Sequence, residues 1–191
     1  VYCQLGRTTV RTLERREWVD KDAVLAELKD MLSSCPDYIT LSGSGEPTLH
    51  AGLGELIDRI KSVTTVPIAV LTNGSLLWRK DVRRELLKAD LAIPSLDAGS
   101  DRLFQYINRP HNALSFEQML EGLIAFREEF KGQYWLEVFL LAGYTSVLAE
   151  VERMAGLVRR IRPDRVQLNT VARPPAEPYA EQVPRDQMVR L

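Results

Sequence analysis

Tyr38-Ile39-Thr40-Leu41-Ser42-Gly43-Ser44-Gly45-Glu46-Pro47 decides the fold. A short apolar run, residues 38–42, empties into a glycine-rich polar turn. A stripe of helical period, Leu53, Leu56, Ile57 and Ile60, follows it. Such a run suits a strand buried on both faces, and the turn then sits at its carboxyl end. The same succession recurs outward along the chain. Further apolar runs occupy 67–71, 91–96, 136–141 and 165–171. The intervening stripes are Val82, Leu86 and Leu87; Phe116, Met119, Leu120, Leu123, Phe126 and Phe130; and Val147, Val151, Met154, Ala155 and Val158. Ahead of the first run, residues 18–34 place Val24, Leu28, Met31 and Leu32 on one face. Ser115 with Gln118 forms a capping box, and the long interval between the third and fourth runs leaves room for a short helix near 101–106.

Alternation of strand and helix predicts right-handed crossovers and a parallel sheet. The expected class is α/β, a partial (βα)6 TIM-like barrel. The chain opens on Val1 without an initiator Met, and a complete eight-fold barrel needs about 250 residues. The first strand is therefore expected upstream. Pro174, Pro175, Pro178 and Pro184 mark a loop leading out of the barrel, with a short helix restarting at Arg185. The expected division is a core over 1–175 and a Pro-rich tail over 176–191.

The 191 residues carry 25 Lys and Arg against 26 Asp and Glu, a net charge of −1, and 45% are apolar. These are the proportions of a soluble globular domain. No apolar run approaches ~18 residues, which excludes a membrane-spanning helix. Near-neutral charge gives no global case for nucleic-acid binding. Locally, Arg7, Arg11, Arg15 and Arg16 face one acidic residue, Glu14, a patch suited to an anionic group. The two cysteines, Cys3 and Cys35, cannot build a disulfide framework and suit the reducing cytoplasm.

Parallel α/β folds gather function at the carboxyl ends of their strands. Here those ends are 42–47, Thr72-Asn73-Gly74, Ser95-Leu96-Asp97-Ala98-Gly99, Ala142-Gly143-Tyr144 and Asn169-Thr170. Each alone reads equally well as a turn; five in register point to a site. Gly43-Ser44-Gly45 fails the dinucleotide fingerprint, since Thr48 holds the third glycine position and Pro47 interrupts the entry to a helix. There is no Walker A pattern and no nucleophile elbow, and His50 and His111 have no distinctive setting. Cys3 reads either as a small buried residue or as a thiolate ligand. Cys35, between a helix and the amino end of the first strand, reads as structural.

Taken together, these residues resemble the radical S-adenosylmethionine (radical SAM) superfamily over about 1–175. Val1-Tyr2-Cys3-Gln4 resembles the end of its C-x-x-x-C-x-x-C loop, which makes Cys3 the metal ligand here, with two cysteines expected upstream. Ser44-Gly45-Glu46-Pro47-Thr48 resembles the GGE-type motif that meets the methionine amino group. Gly43 and Gly45 would let backbone approach that moiety closely, and Glu46 would either accept from the amino group or hold the turn. Ser95 and Asp97 match a position that meets ribose or substrate; Asn73 stands at the mouth, and Asn169, within 167–170, stands near adenine. Arg7, Arg11 and Arg109 are candidates for an anionic group. The resemblance implies a [4Fe–4S] cluster that cleaves SAM reductively to a 5′-deoxyadenosyl radical for hydrogen abstraction, with a flavodoxin- or ferredoxin-like electron donor. Tyr-Cys-Gln with Ser-Gly-Glu-Pro-Thr-Leu resembles the wyosine-base-forming branch, which implies tRNA as a substrate. Two other readings stay open: a non-redox barrel enzyme using Asp97, Glu46 or a histidine as acid or base, and a ligand-binding barrel.

Overall fold

The computed structural model describes residues 1–191. Five strands form one parallel sheet: β1 (Ile39–Leu41), β2 (Ile68–Thr72), β3 (Leu91–Leu96), β4 (Gln133–Leu140) and β5 (Arg165–Thr170). They lie side by side in chain order, and β1 and β5 do not pair with each other. This is an open arc of a (βα) barrel, wound in one sense as the alternation requires.

The helices are α1 (Lys21–Met31), α2 (Leu53–Val63), α3 (Lys80–Leu86), α4 (Asp101–Ile107), α5 (Phe116–Glu129), α6 (Leu148–Ile161) and α7 (Arg185–Arg190). The α2 stripe is buried throughout, at Leu53, Leu56, Ile57 and Ile60. On α5 the capping residue is as expected, with Ser115 Oγ accepting from Gln118 N at 3.1 Å. The core lies between these helices and one face of the sheet, with Ile68, Val70, Ala92, Leu96, Leu136, Val138 and Leu140 at its centre. The opposite, concave face carries Ser95, Glu137, Gln167 and Asn169: Ser95 pairs in register with Glu137, and Glu137 with Gln167.

Four features differ from the sequence reading. The helix expected over 18–34 starts at Lys21, because Asp20 caps it by accepting from Asp22 N at 2.8 Å. Trp18 is instead tied to the segment beside β1, donating its N–H to His50 Nδ1 at 3.1 Å. β4 starts three residues early, since Gln133 N donates to Asp90 O and Tyr134 N to Asp164 Oδ2. Cys35, read as structural, is exposed rather than packed in the core, and caps the turn after α1 in a left-handed conformation (φ 50°). Finally, the Pro-rich tail turns back over the sheet instead of leading away from it. Ala180 and Val183 are buried in the core, Ala142 N donates to Glu181 O at 3.2 Å, and Val183 N donates to Thr170 Oγ1 at 2.9 Å.

Candidate active site

The chemistry-bearing side chains converge where the carboxyl ends of the strands meet the first seven residues. Asp97, just past β3, is 3% exposed. Its Oδ2 accepts from the Tyr2 hydroxyl at 2.6 Å and from Asn108 Nδ2 at 2.6 Å. Its Oδ1 and the Asn108 Oδ1 are buried with no hydrogen-bond partner. Buried oxygens of this kind are costly unless a donor reaches them. Burial pushes the Asp97 carboxyl above its ordinary range, against the opposing pull of the Tyr2 and Asn108 bonds. Glu137 stands beside it on the concave face. Burial raises its carboxyl as well, and the Asp97 charge adds to that, while a bond from Asn169 opposes both. The Tyr2 ring stacks on Phe139 with centroids 3.7 Å apart, so the first residues of the chain lie directly against β4.

Glu46 is bonded on both carboxylate oxygens within the chain. Its Oε1 accepts from Thr48 N at 3.1 Å, from Thr48 Oγ1 at 2.6 Å and from the Thr72 hydroxyl; its Oε2 accepts from Asn73 N at 2.7 Å. It ties the loop after β1 to the end of β2 and holds the turn. Pro47 opens a single 3-10 turn, Pro47–Leu49, beneath it. Gly43, Ser44 and Gly45 are exposed, and a Cβ at either glycine would meet nothing within 4 Å, so this backbone is open to a ligand. Asn73 Oδ1 accepts from Ser75 N at 2.9 Å, which builds the turn that Gly74 (φ 73°) completes. Ser95 and Asn169 lie on the concave strip with Glu137. Asn169 also accepts from Thr170 N at 3.0 Å.

Cys3 is exposed, which removes the reading of a small buried residue. Nowhere do three His, Cys, Asp or Glu side chains come together as a metal site. Arg7 and Arg109 meet an anion within the chain: Glu177 accepts from Arg7 at 2.8 and 3.0 Å and from Arg109 at 2.6 Å. These two arginines, Arg7 first, pull the Glu177 carboxyl down to about 2. His111 closes a local turn through Ala113 N, and His50 lies under Trp18.

Sequence reasoning missed Glu137, Asn108 and Tyr2 as parts of this cluster. Glu137 carried a signal, a lone carboxylate at an inward position of an otherwise apolar strand. Asn108 and Tyr2 carried none, because each finds Asp97 only through the folded chain.

Residues 1–168 match the radical SAM superfamily. Among curated relatives, a protein of Brachyspira hyodysenteriae described as GTPase Obg is 45% identical over 91% of this chain and 26% of its own length. UPF0026 proteins of Methanocaldococcus jannaschii and Synechocystis are 35% and 38% identical, over 94% and 91% of this chain and 57% and 65% of theirs. The chain thus spans from about a quarter to about two thirds of the curated relatives it matches. Two solved structures share the fold. A domain of pyruvate-formate lyase-activating enzyme from Bacteroides vulgatus has TM-score 0.62 at 19% identity, covering 80% of this chain and 88% of that one. A radical SAM methyltransferase from Sphaerobacter thermophilus has TM-score 0.65 at 21% identity, covering 89% and 51%. With the match extending over nearly the whole of the parallel sheet and the loop that precedes it, the chain belongs to the radical SAM superfamily.

Proposed function

We propose that this chain is the core of an enzyme that binds a [4Fe–4S] cluster and SAM and cleaves SAM reductively, for hydrogen abstraction from a substrate. The observation that carries this reading is the placement of Cys3. It is exposed on the loop whose Tyr2 is bonded to Asp97, at the carboxyl ends of the strands. When bound, the cluster supplies the electron that breaks a carbon–sulfur bond of SAM.

The residues present fit that cluster only in part. Cys3 brings one thiolate, and Cys35, on the amino side of β1, is too far along the fold to join it. The 191 residues alone are expected to hold no stoichiometric iron and sulfide. SAM is a better fit. The open backbone of 43–45 is free to approach a small ligand. The buried Oδ1 atoms of Asp97 and Asn108 are acceptors waiting for hydroxyl or amine donors. Glu46 fixes the loop that presents the backbone, and Ser95, Gln167 and Asn169 give the floor a polar surface.

The test uses the full-length protein that contains this chain, reconstituted anaerobically and reduced. Iron and sulfide per chain and 5′-deoxyadenosine formed from SAM are measured. Both should vanish with Cys3→Ala; full iron and sulfide content in that variant would overturn the reading. The branch resembled by Tyr2-Cys3-Gln4 and residues 44–49 implies an RNA substrate. Binding of tRNA that weakens steeply with salt supports it, and absence of binding directs the search to proteins or small molecules. One observation favours a second reading, acid–base chemistry. Asp97 and Glu137 are adjacent and both hold protons above the ordinary carboxyl range. That reading requires turnover in air without iron.

A further inference from the structure

The residues on both sides of Cys3 are held by one short piece of the tail. Arg173 Nη1 donates to Gln4 Oε1 at 2.9 Å. Glu177 N donates to Val1 O at 3.2 Å, and the Glu177 carboxylate takes a two-pronged bond from Arg7. Residues 173–177 thus grip positions 1, 4 and 7 of a loop whose own internal bond is the turn from Gly6 N to Cys3 O, 3.1 Å. The grip is itself anchored. Glu177 is 4% exposed although Arg7 is an open surface side chain. Arg109, next to Asn108, donates to Glu177 Oε1 at 2.6 Å and to the Tyr179 hydroxyl at 3.0 Å. A buried carboxylate shared by two guanidinium groups is strongly held, and removing it leaves both cations without a counter-charge.

We infer that the tail segment 173–177 is a splint for the Cys3 loop, with Glu177 as a positioning residue that fixes where the Cys3 thiol stands over the strand ends. The inference rests on the reading of Cys3 as a cluster ligand. Its mechanical content is separate from that reading: the thiol is oriented before any ligand arrives, through contacts that join residues 1–7 to residues 173–177.

A nitroxide attached to Cys3 in the full-length protein tests this, with serine at every cysteine outside residues 1–191 and Cys35→Asn, at a left-handed position that asparagine tolerates, removing the competing thiols. In the otherwise unaltered chain the label should be immobilised. Glu177→Gln should shorten its rotational correlation time several-fold. Arg7→Met should do the same, and Arg7→Lys should restore part of the immobilisation. Arg109→Met, which leaves the Arg7–Glu177 bond in place, should change it least. If Glu177→Gln fails to fold, Arg7→Met decides, because the Arg7 side chain is 73% exposed and outside the core. An unchanged label mobility in folded Glu177→Gln or in Arg7→Met would overturn the splint. Mobility is read without iron, so a failed splint is distinguished from a failed assignment of Cys3, which the iron and sulfide content of Cys3→Ala reports.

Discussion

β3 is flanked by two aspartates at its opposite ends, and their surroundings differ in every respect. At the amino end, Asp90 Oδ2 accepts from Ile68 N at 2.8 Å and Oδ1 accepts from Lys61 at 2.8 Å. Burial pushes its carboxyl up, but the Ile68 and Lys61 bonds outweigh that and leave it below its ordinary value. Asp164, before β5, repeats the pattern with Tyr134 N at 2.8 Å and Arg127 at 2.7 and 3.1 Å. At the carboxyl end, Asp97 is buried, has no cation from another side chain, keeps one oxygen without a partner and sits above its ordinary value. One end of the sheet uses carboxylates to clamp neighbouring strands. The other holds a carboxylate buried with one oxygen unpaired, a setting that costs stability. This is the division between stability and chemistry expected of parallel barrels.

The comparison is broken most directly at Asp97. Asp97→Asn keeps the shape and the bonds from Tyr2 and Asn108 but removes the charge-assisted acceptor. A hydrogen bond to a charged group contributes about 1.5–3 kcal/mol, so SAM affinity of the full-length, cluster-loaded protein should fall about 10- to 100-fold by calorimetric titration. Unfolding by urea should show no loss of stability. Asp90→Ala and Asp164→Ala should do the reverse. Each should lower stability by about 1.5–3 kcal/mol and leave SAM affinity unchanged. If Asp97→Asn were as destabilising as Asp90→Ala, the two ends would not be built for different purposes.

The sequence made the sheet legible because short apolar runs alternate with stripes on α2 and α5 that no strand could use; burial on both faces did not follow, since β1 and β5 have no buried residue and the opposite face of the sheet is polar. It showed the candidate site less well. Residues 42–47 and Asp97 stood out because an apolar run that ends in glycine and polar residues places exposed backbone and hydrogen-bonding groups at the mouth of a parallel sheet. What Glu46 does there could not be read, since its partners Thr72 and Asn73 arrive from the next strand. The tail was opaque for the same reason. Four prolines predict irregular backbone, but nothing local says that Glu177 meets Arg7, 170 residues away in the chain.

Acidity sharpens the comparison with a smaller effect. In the unfolded chain the carboxyls titrate near about 4. Asp97 and Glu137 hold their protons more tightly when folded, so they make stability fall as pH rises through the ordinary range toward their raised values. Glu177 has the opposite sign. Its contribution is complete above the ordinary carboxyl value and is lost as pH falls toward about 2. Asp97 and Glu137 on one side and Glu177 on the other therefore act in opposite directions on the urea midpoint across the acid range. Asp97→Asn should flatten the descent at higher pH and leave the acid limb unchanged. Glu177→Gln should make the acid limb shallower. A descent unaltered by Asp97→Asn would mean that the Asp97 carboxyl is not held above its ordinary value.

The smallest expected effect separates Asp97, proposed above to meet SAM, from a carboxylate that holds its loop. Glu150, on α6 and almost fully buried, accepts from Gly99 N at 2.7 Å and from the Ser100 hydroxyl at 3.4 Å, two and three residues past Asp97. Gly99 lies so close that a Cβ would come within 3.0 Å of Glu150 Oε1. What the loop needs from position 150 is an acceptor of the right length, and a glutamine side chain supplies one. Glu150→Gln forfeits the charge and the bond from Arg153, whose side chain is 60% exposed and stays solvated when that bond is lost. Stability should fall by less than about 1 kcal/mol, and SAM affinity should stay close to that of the parent. Glu150→Ala, which strands the Gly99 N–H, should cost about 1–3 kcal/mol. Asp97→Asn and Glu150→Gln each replace a buried carboxylate by its neutral isostere, one on this loop and one bonded to it from α6, so the contrast between them is the finest test of the scheme. If Glu150→Gln weakened SAM binding as much as Asp97→Asn, the negative potential at this end of the barrel, and not the orphaned oxygen of Asp97, would be what the ligand reads.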